Sequence, residues 1–287
     1  MIELTSRPSR RLMINALFFN LLFFALSLPL PAECQTIKIG GTGSALGSMK
    51  LLAAGFQKNY PGNNVVVLPS LGSGGGIKAV LHKALDIGLS TRALTPKEKE
   101  QGGKALIYSR TPFFFATSLT TDCPIDLSLP ELVEIYSGFT ANWPCGQPIR
   151  LILRSEKEKD TVLMKAISHK MKRAMEVALS RKGMIYTVTD QETLDHIERI
   201  PGALGTTTLA QYLSEKRPIK PLSLEGVEPT VDNLTLGKYR YFITHRLIIG
   251  PSLSPAARQF IEYLFSHEGR LTLSELGHLI VEERPKF

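Results

Sequence analysis

The sequence lacks long apolar runs after residue 30, and it has neither an internal repeat nor a low-complexity tract. We therefore expect the chain beyond this point to be soluble, because a membrane span needs about 20 apolar residues. Common enzyme motifs are missing as well. The glycine-rich stretch at 71–78 has neither the G-K-[ST] ending of a P-loop nor a G-x-S-x-G pattern, and the six histidines show no H-E-x-x-H spacing. These absences predict a protein that is not an enzyme and needs no metal or cofactor.

The N-terminal segment has the order of a secretory signal peptide. Three arginines precede an apolar run over residues 12–30, and Pro31 and Ala32 close it. An uncleaved membrane anchor is the alternative, since the run approaches the ~20 residues that span a bilayer. The prolines and Ala32 favour a cleaved signal peptide over residues 1–32 and a periplasmic mature protein.

Cysteine is scarce, with three residues in the whole chain. Cys34 lies where a bacterial lipoprotein carries its lipid, but Glu33 stands where such signals need a small residue, so lipid attachment is the less favoured alternative. Cys123 and Cys145 are candidates for a disulfide in an oxidising compartment. Two separate buried thiols are the other interpretation.

The chain is basic, with a formal net charge of +8. Residues 1–32 contain three arginines and one glutamate, so the mature chain would carry +6. A positive surface of this size suits anionic ligands or anionic membranes. We predict no nucleic-acid partner, because the sequence has no RNP, zinc-finger or basic-region pattern.

The glycine-rich stretch at 71–78 is the strongest local signal. It lies between a strand-like run, Asn64 to Pro69, and a helix-like run, Ile77 to Leu85. Backbone N–H groups at a helix start lack partners and lie at the positive end of the helix dipole, so such a turn can bind an anion. Ser73 adds a hydroxyl donor. The alternative is that the stretch is only a turn.

Strands and helices alternate around this stretch, which predicts a parallel sheet covered by helices. Ligands bind at the carboxyl ends of the strands in such sheets, where Gly41–Ser44, Gly72–Ser73 and Ser90–Thr91 fall. Further along the chain, we predict a buried strand at Pro112–Leu119 and helical segments at 161–180 and 255–276.

Several segments together carry a resemblance to a known family. They are IGGTGSALG at 39–47, LGSGGGIKAVL at 71–81, DIGLSTR at 86–92, LSLPELVEIYSGFTANW at 127–143, PGALGTTTLA at 201–210 and LSPAARQFIEYLFSHEGR at 253–270. In their order and spacing the chain resembles the periplasmic phosphate-binding proteins of ABC transporters.

The resemblance implies an α/β fold of the two-lobed periplasmic-binding-protein type (type II). The ligand cleft would lie between lobes joined by two crossover strands. One lobe would contain residues 33–118 and 241–287, and the other residues 119–240. The implied function is the capture of inorganic phosphate or a related oxyanion for an ABC importer, by a monomer that docks on a permease in the inner membrane. The alternative is a binding or signalling module with the same fold that has lost phosphate selectivity and importer function.

The resemblance also implies a set of ligand-binding residues. They are Ser44, the Ala45 backbone, Ser73, Gly74, Thr91, Arg154 and Thr161. Arg154 would be the guanidinium of the site, since its fork geometry suits a tetrahedral oxyanion.

Two departures from the family pattern affect selectivity. Thr91 stands where phosphate binders carry an aspartate that accepts the proton of a protonated anion. The expected Ser-Gly-Thr turn reads Lys159-Asp160-Thr161, so the backbone approaches a ligand less freely at Asp160 than it would at glycine.

Overall fold

The computed structural model describes residues 35–123 and 126–281, and the predicted signal peptide and Cys34 lie outside them. In the described ranges the strands are β1 (Gln35–Gly41), β2 (Asn63–Val67), β3 (Ile87–Ser90), β4 (Lys104–Ser118), β5 (Asp126–Leu127), β6 (Arg150–Arg154), β7 (Ile185–Thr187), β8 (Ala203–Thr208), β9 (Ile219–Pro221), β10 (Ser223–Leu224), β11 (Phe242–Ile249) and β12 (Leu279–Ile280). The helices there are α1 (Leu46–Asn59), α2 (Gly72–Leu81), α3 (Pro96–Glu100), α4 (Leu129–Ser137), α5 (Lys159–Ile167), α6 (His169–Ser180), α7 (Asp190–Arg199), α8 (Leu209–Glu215), α9 (Val231–Thr235), α10 (Pro255–Leu264) and α11 (His267–Glu275). None of these described helices is long and apolar enough to cross a membrane.

Ten of the described strands belong to one sheet, whose main path runs β2-β1-β3-β11-β4-β8-β6-β7. Strands β1, β2 and β3 are parallel, as the alternation of strand and helix predicts. Strand β6 is likewise parallel to β7 and β8. The sheet therefore contains two parallel groups, each with its own set of strand carboxyl ends.

Strand β4 connects the two parallel groups. Its first part pairs with β11 as far as Pro112, and from Phe113 onward it pairs with β8. The strand predicted at Pro112–Leu119 is thus only the second half of β4. The first half carries polar residues such as Ser109. The Ser109 hydroxyl can be buried because it forms a hydrogen bond with His278 inside the protein. The lobe boundaries inferred from the family resemblance stay a prediction.

Buried apolar side chains form one large cluster in each half of the sheet. The first includes Met49 and Phe260 and lies between β1, α1 and α10. The second includes Trp143 and Leu153 and lies around β6, β8 and the helices next to them. Each parallel group is therefore fixed by a hydrophobic core of its own.

Serine residues start new helices within two of the predicted helical segments. The segment at 161–180 is two helices, α5 and α6, because the Ser168 hydroxyl accepts the Met171 N–H at 3.0 Å and starts a new helix. The segment at 255–276 divides in the same way at Ser266, whose hydroxyl accepts the Gly269 N–H at 3.2 Å. A serine oxygen at such a position caps backbone donors that would otherwise lack a partner.

The disulfide between Cys123 and Cys145 is present, which confirms the first of the two interpretations of these cysteines. Their Cα atoms lie 5.7 Å apart, across 22 residues of sequence. The bond holds the ends of a segment that contains helix α4.

Candidate functional site

Helix α2 begins inside the glycine-rich stretch, at Gly72 rather than at the predicted Ile77. Gly72 has a φ of +65°, a conformation that glycine adopts readily. Gly76 packs against β1 so closely that an added Cβ would lie 2.7 Å from the Gly41 Cα atom. The glycines therefore form the first turns of the helix and let it approach the sheet. As a consequence, the N–H groups at the helix start that lack an intrahelical partner belong to residues 72–74.

The carboxyl ends of β1 and β3 and the start of α2 meet at one place, as predicted. The Leu71 N–H donates to the Gly41 carbonyl at 3.0 Å, and the Thr42 N–H donates to the Leu89 carbonyl at 3.0 Å. The Thr91 N–H donates to the Ser73 Oγ at 3.0 Å, and the two hydroxyl oxygens lie 3.1 Å apart. These polar groups come from three separate loops and form one edge of the candidate site.

The opposite edge is built around Arg154, at the end of β6. Its side chain is only 5% exposed. One terminal nitrogen donates to the Asp190 Oδ1 at 3.2 Å and to the Thr193 hydroxyl at 3.3 Å, and the other donates to the Glu158 Oε2 at 3.1 Å. The guanidinium is thus held in place by groups from two helix N-termini, those of α5 and α7.

Carboxylates around Arg154 control its ionisation. Burial by itself lowers the pKa of the Arg154 guanidinium, but the nearby carboxylates, Asp190 foremost, raise the pKa by more. The pKa therefore ends above its ordinary value, and the guanidinium stays charged. One buried cation here faces Glu158, Asp160 and Asp190, so the immediate surroundings carry more negative charge than positive when all three carboxyls are ionised.

Asp190 joins the two edges of the site. Its Oδ2 accepts the Ser44 backbone N–H at 3.1 Å, while its Oδ1 accepts from Arg154. The next residue, Gln191, donates its side-chain amide to the Gly43 carbonyl at 2.9 Å. A Cβ on Gly43 would lie 2.5 Å from the Asp190 Oδ2, so only glycine leaves room for this approach. A backbone N–H and a guanidinium from opposite edges therefore converge on one carboxylate.

Asp160 is a second buried carboxyl of this cluster, with 7% exposure. The Thr206 hydroxyl donates to its Oδ2 at 3.1 Å. Burial raises the pKa of the Asp160 carboxyl to about 6, and the opposing attraction of Arg154 only partly offsets this effect. Asp160 can therefore change its charge within the range in which many proteins work.

A cavity of about 510 Å³ lies between the start of α2 and the segment that precedes α5. Its charged side chains include Arg92, which forms a bidentate pair with Glu98 at 2.7 and 2.8 Å. The cavity is lined by Leu71, Gly72, Ser73, Gly74, Gly75, Thr91, Arg92, Lys157, Glu158, Lys159 and Val162. Both edges of the site thus contribute to it.

The structure brings together most of the predicted ligand-binding residues. Ser73, Gly74 and Thr91 line the cavity, and Ser44 and Arg154 meet at Asp190. The two remaining residues use their polar groups within the chain. The Thr161 hydroxyl donates to the Arg154 carbonyl at 3.1 Å, and the Ala45 N–H donates to the Thr42 carbonyl at 3.4 Å. A contact between any of these residues and a ligand stays a prediction.

Comparison with known proteins identifies the family. A family model described as a PBP superfamily domain matches residues 30–268. The chain belongs to the PBP superfamily. The phosphate-binding protein PstS of Borreliella burgdorferi is 25% identical over 274 residues, which cover 90% of this chain and 97% of that protein. The phosphate-binding protein PstS of Bacillus subtilis is 27% identical over 242 residues, which cover 81% of this chain and 76% of that protein.

Solved structures confirm the fold class. A putative phosphate ABC transporter substrate-binding protein of Clostridium perfringens, solved with bound phosphate, superimposes on this PBP-superfamily chain with a TM-score of 0.72 at 19% identity. The superposition covers 86% of this chain and all of the other. The predicted α/β fold of the periplasmic-binding-protein type is therefore correct.

Helix α7, which carries Asp190, is not among the helices predicted from the sequence of this PBP-superfamily chain. A signal was available, since Thr189 and Glu192 have the T-x-x-E spacing that is typical of a helix start. The Thr189 hydroxyl does accept the Glu192 N–H, at 3.1 Å. That pattern predicts a helix but not its neighbour, because Ser44 lies 146 residues away in sequence.

Proposed function

We propose that the chain is an extracytoplasmic solute-binding protein that captures a phosphate-like oxyanion in this site for an ABC importer. The convergence of Ser44 and Arg154 on one carboxylate is the observation that carries the proposal. The Asp190 carboxylate lies between a backbone donor and a guanidinium, and this arrangement supports an oxyanion at the same place. Both kinds of donor are ones that phosphate binding sites use.

The names of the relatives support phosphate as the first ligand to test. Both curated relatives are phosphate-binding proteins, and the alignments cover most of their length and of this chain. The Ser73 and Thr91 hydroxyls and the start of α2 would contribute further donors from the cavity side. An ABC permease is the proposed partner, and the periplasm is the proposed location.

An external anion would have to compete with Asp190 for Ser44 and Arg154. In this proposal the cleft opens and the anion takes the place of the Asp190 carboxylate. The cleft then closes around the bound anion. Binding energy that favours the closed form can drive such a hinge motion. The proposal needs no catalytic residue.

The test measures the thermal stability of the anion-stripped full chain, in mild detergent, against a panel of oxyanions, followed by calorimetry on any hit. A ligand that binds only the folded state at about 100 times its Kd stabilises it by about 2.7 kcal/mol. We expect phosphate or a close relative to give a selective shift. A panel that stabilises nothing contradicts the proposal and favours a module without transport function.

Arg154→Ala tests the position of the site. Hydrogen bonds to charged groups contribute about 1.5–3 kcal/mol each, so the anion Kd should rise at least tenfold. Arg217→Ala is the matched control, because Arg217 pairs with Asp195 and Glu198 of the same helix α7 and not with Asp190. Equal Kd values for Arg154→Ala and the parent would place the site elsewhere.

A further inference from the structure

A buried histidine lies directly behind the candidate site. His245, in β11, has no exposed surface, and its Nε2 lies 3.1 Å from the Ser44 Oγ. The ring stacks on Tyr108 with centroids 5.8 Å apart. Ser44 therefore contacts Asp190 through its backbone N–H and His245 through its hydroxyl.

The His245 ring is neutral. Burial lowers its pKa to about 3, and the charge of the neighbouring Arg246 acts in the same direction. A neutral imidazole carries one proton, on either Nδ1 or Nε2, and the other nitrogen accepts a hydrogen bond. The position of this proton decides which way the Ser44 hydroxyl points.

The surroundings of Nδ1 favour a proton on Nε2. Within the described ranges, no protein group forms a hydrogen bond with the His245 Nδ1, which is fully buried. An N–H buried without an acceptor is rare in proteins and costs about 1–3 kcal/mol. With the proton on Nε2, Nε2 donates to the Ser44 Oγ, and the unpartnered Nδ1 is left as an acceptor rather than as the rarer buried N–H without a partner.

His278 provides an internal comparison. It is also buried, and its ring centroid lies 5.4 Å from that of His245. Both of its nitrogens contact hydroxyls, with Nε2 2.9 Å from the Ser48 Oγ and Nδ1 2.7 Å from the Ser109 Oγ. Both nitrogens of His278 therefore have a hydrogen-bond partner in either tautomer, whereas the contacts of His245 favour the tautomer with the proton on Nε2.

We propose that His245 is a positioning residue of the anion site, whose Nε2–H donates to the Ser44 Oγ and so directs the Ser44 hydroxyl proton toward the ligand. Once Oγ accepts from His245, the O–H must find an acceptor elsewhere. The Thr42 hydroxyl, at 3.4 Å, is a distant one, so an anion oxygen would compete well for this proton. This inference rests on the proposed function, and it assigns a role to a residue that does not itself touch the anion.

The tautomer is measured by ¹⁵N NMR on the full chain with labelled histidine, and the spectrum needs no ligand. We expect a protonated Nε2 and an unprotonated Nδ1 for His245, assigned by comparison with the His245→Gln variant. A proton on Nδ1 overturns the inference, because the Ser44 hydroxyl would then donate to the histidine.

Calorimetry with inorganic phosphate tests the effect on binding. We expect His245→Leu to raise the Kd about tenfold, as for loss of one oriented hydrogen bond to a charged group, and His245→Gln to recover most of the affinity. His278→Leu is the matched control, since it also removes a buried polar ring but leaves the Ser44 contact in place. Its stability should fall while its Kd stays near that of the parent.

A double-mutant cycle shows whether His245 acts through Ser44. In a Ser44→Ala background, His245→Leu should cause no further loss of phosphate affinity. Additive losses would overturn the inference, as would equal losses in His245→Leu and His278→Leu. If the parent chain binds no anion at all, the proposed function and the affinity part of this inference fail together, while the NMR spectrum still decides the tautomer.

Discussion

Replacing Asp190 by asparagine should tighten anion binding, although it removes a well-bonded residue. The Asp190 carboxylate accepts from the Ser44 N–H at 3.1 Å and from Arg154 at 3.2 Å. Asparagine has nearly the same shape, but it is neutral and keeps one acceptor oxygen. An anion that takes these two donors must first displace the side chain at 190, and asparagine holds them less strongly than a carboxylate.

The magnitude follows from the two hydrogen bonds. A hydrogen bond to a charged group contributes about 1.5–3 kcal/mol, and asparagine retains part of this energy in each of the two bonds. Asp190 is 14% exposed, so solvent screens the pair only moderately. We expect the free energy of anion binding to improve by about 1.5–3 kcal/mol, which is roughly a tenfold to hundredfold lower Kd. The ligand-free variant should at the same time unfold at a lower temperature.

The assay is calorimetry with inorganic phosphate near neutral pH, combined with thermal unfolding without ligand. Asp195→Asn is the control, because Asp195 lies in the same helix and pairs with Arg217, away from the site. It should lower the stability without changing the Kd. An Asp190→Asn variant that binds phosphate more weakly than the parent would refute the reasoning, since Asp190 would then support the bound state.

Two further predictions concern stability. The folded pKa of Asp160, about 6, lies above its ordinary value of 3.8, so the folded state binds the additional proton and loses stability as pH rises through this window. Between pH 4.5 and 7.5 the loss is about 2 kcal/mol, and Asp160→Asn should remove it. Urea unfolding at these two pH values tests this, and an equal fall in the free energy of unfolding in both proteins would contradict it. Reduction of the disulfide, which spans 22 residues, should lower the free energy of unfolding by about 3 kcal/mol, measured against the Cys123→Ser/Cys145→Ser variant; no change on reduction would exclude such a contribution.

Local patterns in the sequence predicted the parts of the fold that depend on neighbouring residues. The alternation of strands and helices gave the parallel strands β1 to β3, and the small polar residues at strand ends gave Ser73 and Thr91. Local patterns failed where propensity and packing disagree. Glycine is a poor helix former, so the start of α2 at Gly72 was missed, although close packing against β1 requires glycine there.

The sequence by itself determined the alternation of strands and helices and the strand ends at the candidate site, because these depend on residue types at short spacing. The two-lobed fold was implied by the family resemblance, and the structure decided between the two interpretations of Cys123 and Cys145. Only the tertiary structure decided which side chains from distant parts of the chain contact the residues at these strand ends. Asp190 reaches Ser44 across 146 residues, and His245 reaches it across 201, since helix α7 and strand β11 both contact the turn at residues 43–45. Local periodicity cannot encode such contacts, because packing between distant elements sets them.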